Sequence, residues 1–565
     1  MLSRLPLLIV VICALSLFIV ACSEDEAATT SDTGTTTETT EVSEATDETT
    51  EPVSDSTLKT LGDMKSGEKF GGTLKVAAQA SLETLDTSFS GAYVVTTISA
   101  HVWERLFERD AGFNAKPQMV SGWEVDDAGT TYTFTLRDGM TFHDGSSVTS
   151  GDVIPSLKRM WETTAAGDML KGQMVEDGWK EIDDHTFSLT FKQPMGVVIS
   201  GMAAPWPLSN IWPERVANTP AQEDYGEENA IGSGPYKVSE WVRGDKLVVE
   251  RFDAYVPRTD EAGSYLAGSK IAYIDTIEWL EIPSEESKKA ALQTGEIDVW
   301  DGAGLDFYTE MVDDPNIDVA KYDKHFWTYD FNVTSTGPAS NKMIRQALQA
   351  ATDIEALAAS MGPSDLWSLC PSRYRCGTPL ASTVGEEYYN EKDVEKAKKM
   401  IAESGYAGET FLLMNPNDYA TITPMGQVLK PLFEEVGLTV EMPSMDWATL
   451  LSRLPDPDWD AITDWWVQWA SPDPVADPML SGTLYFGNFG DDPEVERTKA
   501  LRLQYAFEPD ASKQMDLIGE MQLALYDSAP QVMLAQWASI YPYSKVVKNF
   551  DVPVFPVYIN AWLDR

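Results

Sequence analysis

The segment TDWWVQWASPDP, Thr463 to Pro474, sets Trp465, Trp466 and Trp469 within five residues, adds Asp464 and Asp473, and ends on a Ser-Pro-Asp-Pro turn. Indole rings can stack on a flat or apolar ligand, and a carboxylate in a dry setting can pair with a cation. Recognition of a small molecule is therefore one expectation for this stretch. Packing is the other. Trp465 and Trp466, adjacent on a strand, point to opposite faces, from which we expect that they are not both core and that at least one faces a ligand.

Other residues that could do chemistry are sparse. The chain has four histidines, His101, His143, His185 and His325, with no paired spacing, so no metal site is expected. There is no Gly-x-Ser-x-Gly elbow, no His-Glu-x-x-His and no phosphate-cradling glycine loop, and no cofactor motif. Carboxylates abound, but none stands in a setting that marks an acid/base pair. No enzyme is expected, a surface hydrolase being the lesser alternative.

Composition limits the partners. A formal charge of −47 on 565 residues excludes a phosphate-backbone ligand, which needs clustered cations, so no nucleic acid partner is expected. The length predicts several domains. The opening MLSRLPLLIVVICALSLFIVAC has one cation, Arg4, and an apolar run from Leu5 to Val20, short for a membrane span and right for an export signal. Its end, Ile19-Val20-Ala21-Cys22, resembles the lipobox of bacterial lipoproteins, which implies a signal peptide over 1–21 and a lipid on Cys22. Residues 22–68 are an acidic Thr/Ser/Glu-rich tether, too poor in apolar residues through Thr57 to offset the entropy of ordering. With Cys13 in the signal and Cys22 lipidated, Cys370 and Cys376 remain, and we expect them to pair in an oxidising compartment.

The elements that must position these residues begin near Phe70. GGTLKVAA, Gly71 to Ala78, reads as a strand. TTISAHVWERLFERD, Thr96 to Asp110, carries Ile98, Val102 and Leu106 at helical spacing. TTYTFTLRDGMTFHDG, Thr130 to Gly145, reads as two antiparallel strands around the Asp138-Gly139 turn. Thr149 can cap the next helix with Asp152 in its first turn, and His143 reads as a satisfied turn residue.

MTFHDGSSVTSGDVIPSLKRM (140–160), AIGSGPYKVSEWVRGDKLVVERFDAYV (230–256), ALQTGEIDVW (291–300), YDFNV with NKMIRQALQAATDIEALA (341–358), and YNEKDVEKAKKMIAESGY (389–406) follow one another in the order seen in a known family. From Gly71 to Arg565 the chain resembles the extracellular solute-binding proteins of ABC importers, family 5, the peptide/nickel-binding type. The resemblance implies an α/β fold of two lobes, the periplasmic-binding-protein fold of type II, cluster C, with an inserted third subdomain. Mapped by motif, lobe I is 70–107, 229–325 and 536–565, the insert is 108–228, and lobe II is 326–535, with ligand enclosed between the lobes. A long helix is expected to follow the hinge strand over Asn341 to Ala358.

The resemblance also implies a site. The family's segment matching Ala461 through Pro474 reaches into the cleft, and Tyr93, Trp206, Trp300 and Trp327 fall where cleft loops approach, as do Phe326 and Tyr329 before the hinge Asn332. In peptide-binding members an Asp four residues before the Pro of Asp-Pro pairs with the peptide α-ammonium, and Ala470 holds that place here. Asp464 or Asp473 replaces it, or the solute is an oligosaccharide or another ring compound. Implied further are an oligopeptide-like solute, delivery to a permease and its ATPase, a monomer, and a place in the periplasm or on the outer cell surface. No histidine lies in a matched cleft segment, which disfavours nickel.

Overall fold

Two long strands, Ile317–Phe331 and Gln531–Ser544, run antiparallel through the middle of the molecule, from Ile317 opposite Ser544 to Asp330 opposite Gln531. Both are rich in aromatic and branched residues that suit a pleated, buried surface. The computed structural model describes residues 58–565, except 79–81, 83, 91–92, 205–207, 222, 283, 418–421, 446–448, 451–452, 455, 468–473, 476, 478–479, 481–492, 551 and 554.

The long pair divides one mixed sheet. On one side lie, in order, Val299–Trp300, Thr73–Ala77, Thr276–Leu280, Lys246–Arg251 and Tyr236–Val242; on the other lie Ala461–Val467, Thr410–Pro416 and Thr439–Glu441. Within each half the strands next to the long pair's neighbours run parallel, Thr73–Ala77 with Thr276–Leu280 and Val299–Trp300, and Thr410–Pro416 with Ala461–Val467 and Thr439–Glu441. The long pair breaks register between Tyr322 and His325 and again between Phe326 and Thr328. Such irregularities bend and twist a ladder, and these fall where the two halves meet. A separate four-stranded antiparallel sheet, Val120–Val125, Thr131–Leu136, Thr186–Phe191 and Met174–Asp183, lies within the 108–228 segment.

Several local expectations hold, and four need correction. The tether expected to run to residue 68 gives way earlier to ordered chain: helix Leu61–Met64 forms, Leu61 is fully buried, and its N–H donates to the Tyr255 carbonyl at 2.8 Å, so one apolar side chain docks this stretch on the body. Strand Thr73–Ala77 forms as read, and Thr149 donates both its backbone N–H and its hydroxyl to Asp152 at 2.8 Å at the start of helix Ser150–Trp161. Helix Tyr93–Val102, however, stops before Leu106. The Val102 carbonyl accepts from Gly234 N–H at 2.9 Å, and a Cβ at Gly232 would stand 1.9 Å from that oxygen, so the glycines of Gly-Ser-Gly-Pro-Tyr take the helix end. The Asp138-Gly139 turn does not join a hairpin. Thr131–Leu136 pairs with Val120–Val125 and Thr186–Phe191, and beyond the turn only an isolated Thr141–Ser147 bridge forms. The long helix expected over Asn341 to Ala358 is two, Lys342–Ala351 and Ile354–Met361, because Asp353 caps the second by accepting from Ala356 N–H at 3.0 Å.

His143 is a satisfied turn residue: Gly232 N–H donates to Nδ1 at 3.2 Å and Nε2 meets the Gly234 carbonyl at 3.1 Å. Burial pushes its pKa down to about 4. Cys370 and Cys376 form a disulfide with Cα atoms 6.0 Å apart.

Candidate functional site between the two half-sheets

The registers place one point of the molecule under both halves. Strand Ala461–Val467 ends with Val467 opposite His325, which stands opposite Trp537. From the other half, Val299–Trp300 runs antiparallel to Gln531–Ser544, and Ala303 bridges Ile540. The carboxyl ends of parallel strands from both halves therefore face each other across the short stretch from Trp537 to Ile540. In open α/β sheets ligands bind outside such carboxyl ends.

Alternation sorts the residues leading to this point. One face of the second half carries Phe326, Thr328 and Asp330 with Ile462, Asp464 and Trp466, and Gln531 and Met533 continue it on the third strand. Asp330 is buried and used on both oxygens: Trp466 Nε1 donates to Oδ2 at 2.9 Å and Gln531 Nε2 donates to Oδ1 at 2.8 Å. Burial raises its pKa to about 6, against the pull of those two donors. Gln531 accepts in turn from Arg373, which makes a bidentate bond at 2.9 Å to both oxygens of Asp477 and stands 5.4 Å over the Phe326 ring. Asp464, buried beside them, accepts Trp465 N–H at 2.7 Å, and burial together with the charge of Asp330 holds its pKa well above the carboxylate range.

The opposite face is packing. Trp327 stacks on Trp537 at 5.1 Å, Trp465 meets Trp537 edge-on at 5.6 Å, and His325 lies 4.9 Å from both Trp465 and Trp537. Tyr329 and Phe331 continue this core, which closes against Ile344, Leu348, Leu357, Leu429 and Phe433 from the flanking helices.

The expectation that Trp465 and Trp466 cannot both be core is overturned. They do point to opposite faces, but both are at most 5% exposed, because this half-sheet is covered on both sides. Helices cover the Trp465 face. The loop carrying Arg373 and Tyr374, held by Gln522 of helix Ala511–Ser528, covers the other: Gln522 accepts from Arg373 N–H at 2.8 Å and donates to the Ser382 carbonyl at 3.1 Å. Trp327 and Trp300 are likewise fully buried, Trp300 against Phe307 at 5.2 Å. Trp206, Trp469, Ala470, Asp473 and Cys22 lie outside the described residues, as does the side chain of Tyr93.

In the first half the chain leaves Trp300 through Asp301, whose N–H donates to the Ala77 carbonyl at 3.1 Å. Its carboxyl group is fully buried, neither oxygen has a hydrogen-bond partner among the described residues, and burial raises its pKa to about 7. Close by, Tyr558 stacks on His101 at 5.5 Å and donates its backbone N–H to His101 Nε2 at 2.9 Å. Sequence reasoning missed Asp301, Asp330 and Arg373. Only the position of Asp301 directly after GEIDVW, at a strand end, could have signalled it. Among the described residues no group of three or more His, Cys, Asp or Glu is placed to hold a metal ion.

With this geometry in view, comparison with known proteins is direct. The model for bacterial extracellular solute-binding proteins, family 5 (middle region), matches residues 114–486, and the chain belongs to that family. It is 28% identical over 502 residues, 86% of this chain and 93% of the relative, to the "Probable peptide ABC transporter periplasmic-binding protein y4tO" of Sinorhizobium fredii. Among solved structures, the fold matches AgaA of A. tumefaciens R10 in complex with agropinic acid (TM-score 0.71, 21% identity, covering 87% of this chain and 99% of that one). It also matches the oligopeptide-binding protein AppA of Bacillus subtilis with a nonapeptide (TM-score 0.70, 19% identity, covering 88% and 100%). The mixed α/β fold is thus that of the two-lobed periplasmic binding proteins, as the motifs implied.

Proposed function

We propose that this protein captures an oligopeptide-like solute between its two lobes and hands it to an ABC permease. The observation that carries the reading is the meeting of parallel-strand carboxyl ends from both halves on the Trp537–Ile540 stretch, next to the irregular part of the long strand pair. A solute held there contacts both lobes at once, so its binding free energy favours the closed arrangement over the open one. The relative named as a peptide transporter component favours peptide. The division proposed is lobe I over 70–107, 229–325 and 536–565, insert over 108–228 and lobe II over 326–535. The protein works as a monomer outside the cytoplasm, held by lipid on Cys22 and the acidic tether, and performs capture without catalysis.

One observation keeps a second reading. Ala470 stands where peptide-binding members place an ammonium-binding Asp, and a structure of the same fold holds agropinic acid, so a non-peptide solute such as an oligosaccharide is the alternative. Tryptophan fluorescence separates the two. Saturable change on titrating ligand-stripped protein with a di- to pentapeptide pool, and none with cello-oligosaccharides, supports peptide capture; the reverse pattern supports the sugar reading.

A further inference from the structure

Lys69 Nζ lies 5.6 Å from the ring centre of Tyr273 and 5.4 Å from that of Trp562, and it makes no ion pair or hydrogen bond among the described residues. The chain has 89 Asp and Glu against 42 Lys and Arg, yet only ring faces answer this ammonium. The three side chains border a cavity of about 560 Å³ whose apolar lining includes the buried Ile271, Val557 and Ile559. A second cavity, of about 360 Å³, shares Lys69, Ile271 and Tyr273 with it and runs on along Met64 to Phe70. Volumes of this order hold small ligands.

The cavity is separate from the meeting point of the two half-sheets. Lys69 stands just before strand Thr73–Ala77, and Tyr273 just before its parallel neighbour Thr276–Leu280. The cavity therefore lies at the amino ends of these strands, whereas the half-sheets meet at carboxyl ends. Its wall is firmly braced. Asn560 accepts Ile271 N–H at 2.8 Å and donates to the Ser269 carbonyl at 3.0 Å, and its own carbonyl accepts from Asn549 Nδ2 at 2.9 Å. Among the described residues seven other than glycine have positive φ, and three of them, Tyr265, Asn549 and Asn560, line this cavity. Such backbone strain persists only where the surroundings hold it, and it gathers at ligand sites.

The uncommitted groups are donors. The Lys69 ammonium, the Tyr273 hydroxyl and the Trp562 indole N–H have no hydrogen-bond partner among the described residues, while the Asn560 amide is spent on the backbone. A donor-rich rim with two aromatic rings suits a ring compound that carries acceptor oxygens and a negative charge. A pyranose offers apolar C–H groups to the rings and hydroxyls to the donors, and a carboxylate on it answers Lys69.

We propose that this cavity binds an acidic sugar unit, a hexuronate, with its carboxylate on Lys69 and its ring against Trp562 and Tyr273. The net charge of −47 does not forbid this, because exposed charges beyond about 8 Å are largely screened at physiological ionic strength. A free sugar acid and one unit of an acidic polysaccharide carry the same chemistry.

The test is calorimetric titration at pH 7 with galacturonic acid, trigalacturonic acid and their neutral counterparts, galactose and galactotriose. The acids should bind about tenfold or more tightly than the neutral sugars. Lys69→Met should remove that preference at an unchanged melting temperature, since Lys69 is exposed, and Lys69→Arg should keep it. Trp562→Ala should weaken the acids too; should that variant fail to fold, Lys69→Met decides alone. A trimer that binds more tightly than the single sugar assigns the polysaccharide, and equal binding assigns the free sugar acid. Absence of acid binding, equal binding of the neutral sugars, or acid binding that survives Lys69→Met would overturn the inference. None of these outcomes bears on capture between the lobes.

Discussion

Trp466 and Asp330 are joined by a 2.9 Å hydrogen bond that runs from one strand to its neighbour inside a fully covered face of the second half-sheet. The bond makes one of the three clustered tryptophans a structural donor. Trp466→Phe keeps an aromatic ring and strands an acceptor of Asp330, which should cost about 2–3 kcal/mol. Urea unfolding should show a lower midpoint at unchanged slope.

Arg373 holds Asp477 with two bonds at 2.9 Å while both are nearly excluded from water. Arg373→Met takes the guanidinium from that buried carboxylate and leaves it only neutral company such as the Tyr374 hydroxyl at 3.4 Å, for an expected loss of about 3–5 kcal/mol. Adding Asp477→Leu should recover a large part of it, and a double-mutant cycle in urea measures the recovery.

Asp301 gives a pH signature. Its folded pKa, about 7, lies above the ordinary value of 3.8, so the folded state keeps a proton that the unfolded chain releases. Its contribution is most favourable below pH 4 and is lost as pH rises from about 4 to 7. Asp301→Asn should therefore match the wild type near pH 4 and exceed it at pH 8 by roughly 2–4 kcal/mol. His101, whose pKa burial lowers to about 4, has the opposite sign, since stability falls as pH drops from 6.5 towards 4. Comparing variant and wild type at each pH cancels that background, and urea midpoints at pH 4.5 and 8 decide the matter.

The Cys370–Cys376 bridge closes the loop that carries Arg373 and Tyr374. In the chain-entropy picture a loop this short is worth about 2 kcal/mol. The double substitution Cys370→Ser with Cys376→Ser, or dithiothreitol on the wild type, should lower the melting temperature by the same amount.

Much of the frame was legible because it is local. The turn glycines, the Thr149–Asp152 cap, the strand at Thr73–Ala77 and the ordered family motifs all carry their signal within a few residues. What escaped depends on distant partners. Helix Tyr93–Val102 ends early because Gly234, far along the chain, takes the Val102 carbonyl. Trp465 and Trp466 are both buried because helices and the Arg373 loop cover opposite sides of one strand, which alternation alone cannot show. Asp301 and Asp330 were hidden among 89 acidic residues, most of them expected to be solvated, since burial rather than residue type sets them apart.

The central claim is capture of a peptide-like solute between the lobes, and the melting temperature of ligand-stripped, refolded protein tests it most directly. With a di- to pentapeptide pool whose binding members stand near 100 times their dissociation constants, folding should gain about 2.7 kcal/mol and the transition should move clearly upward. An unmoved, cooperative transition across the whole pool would contradict peptide capture.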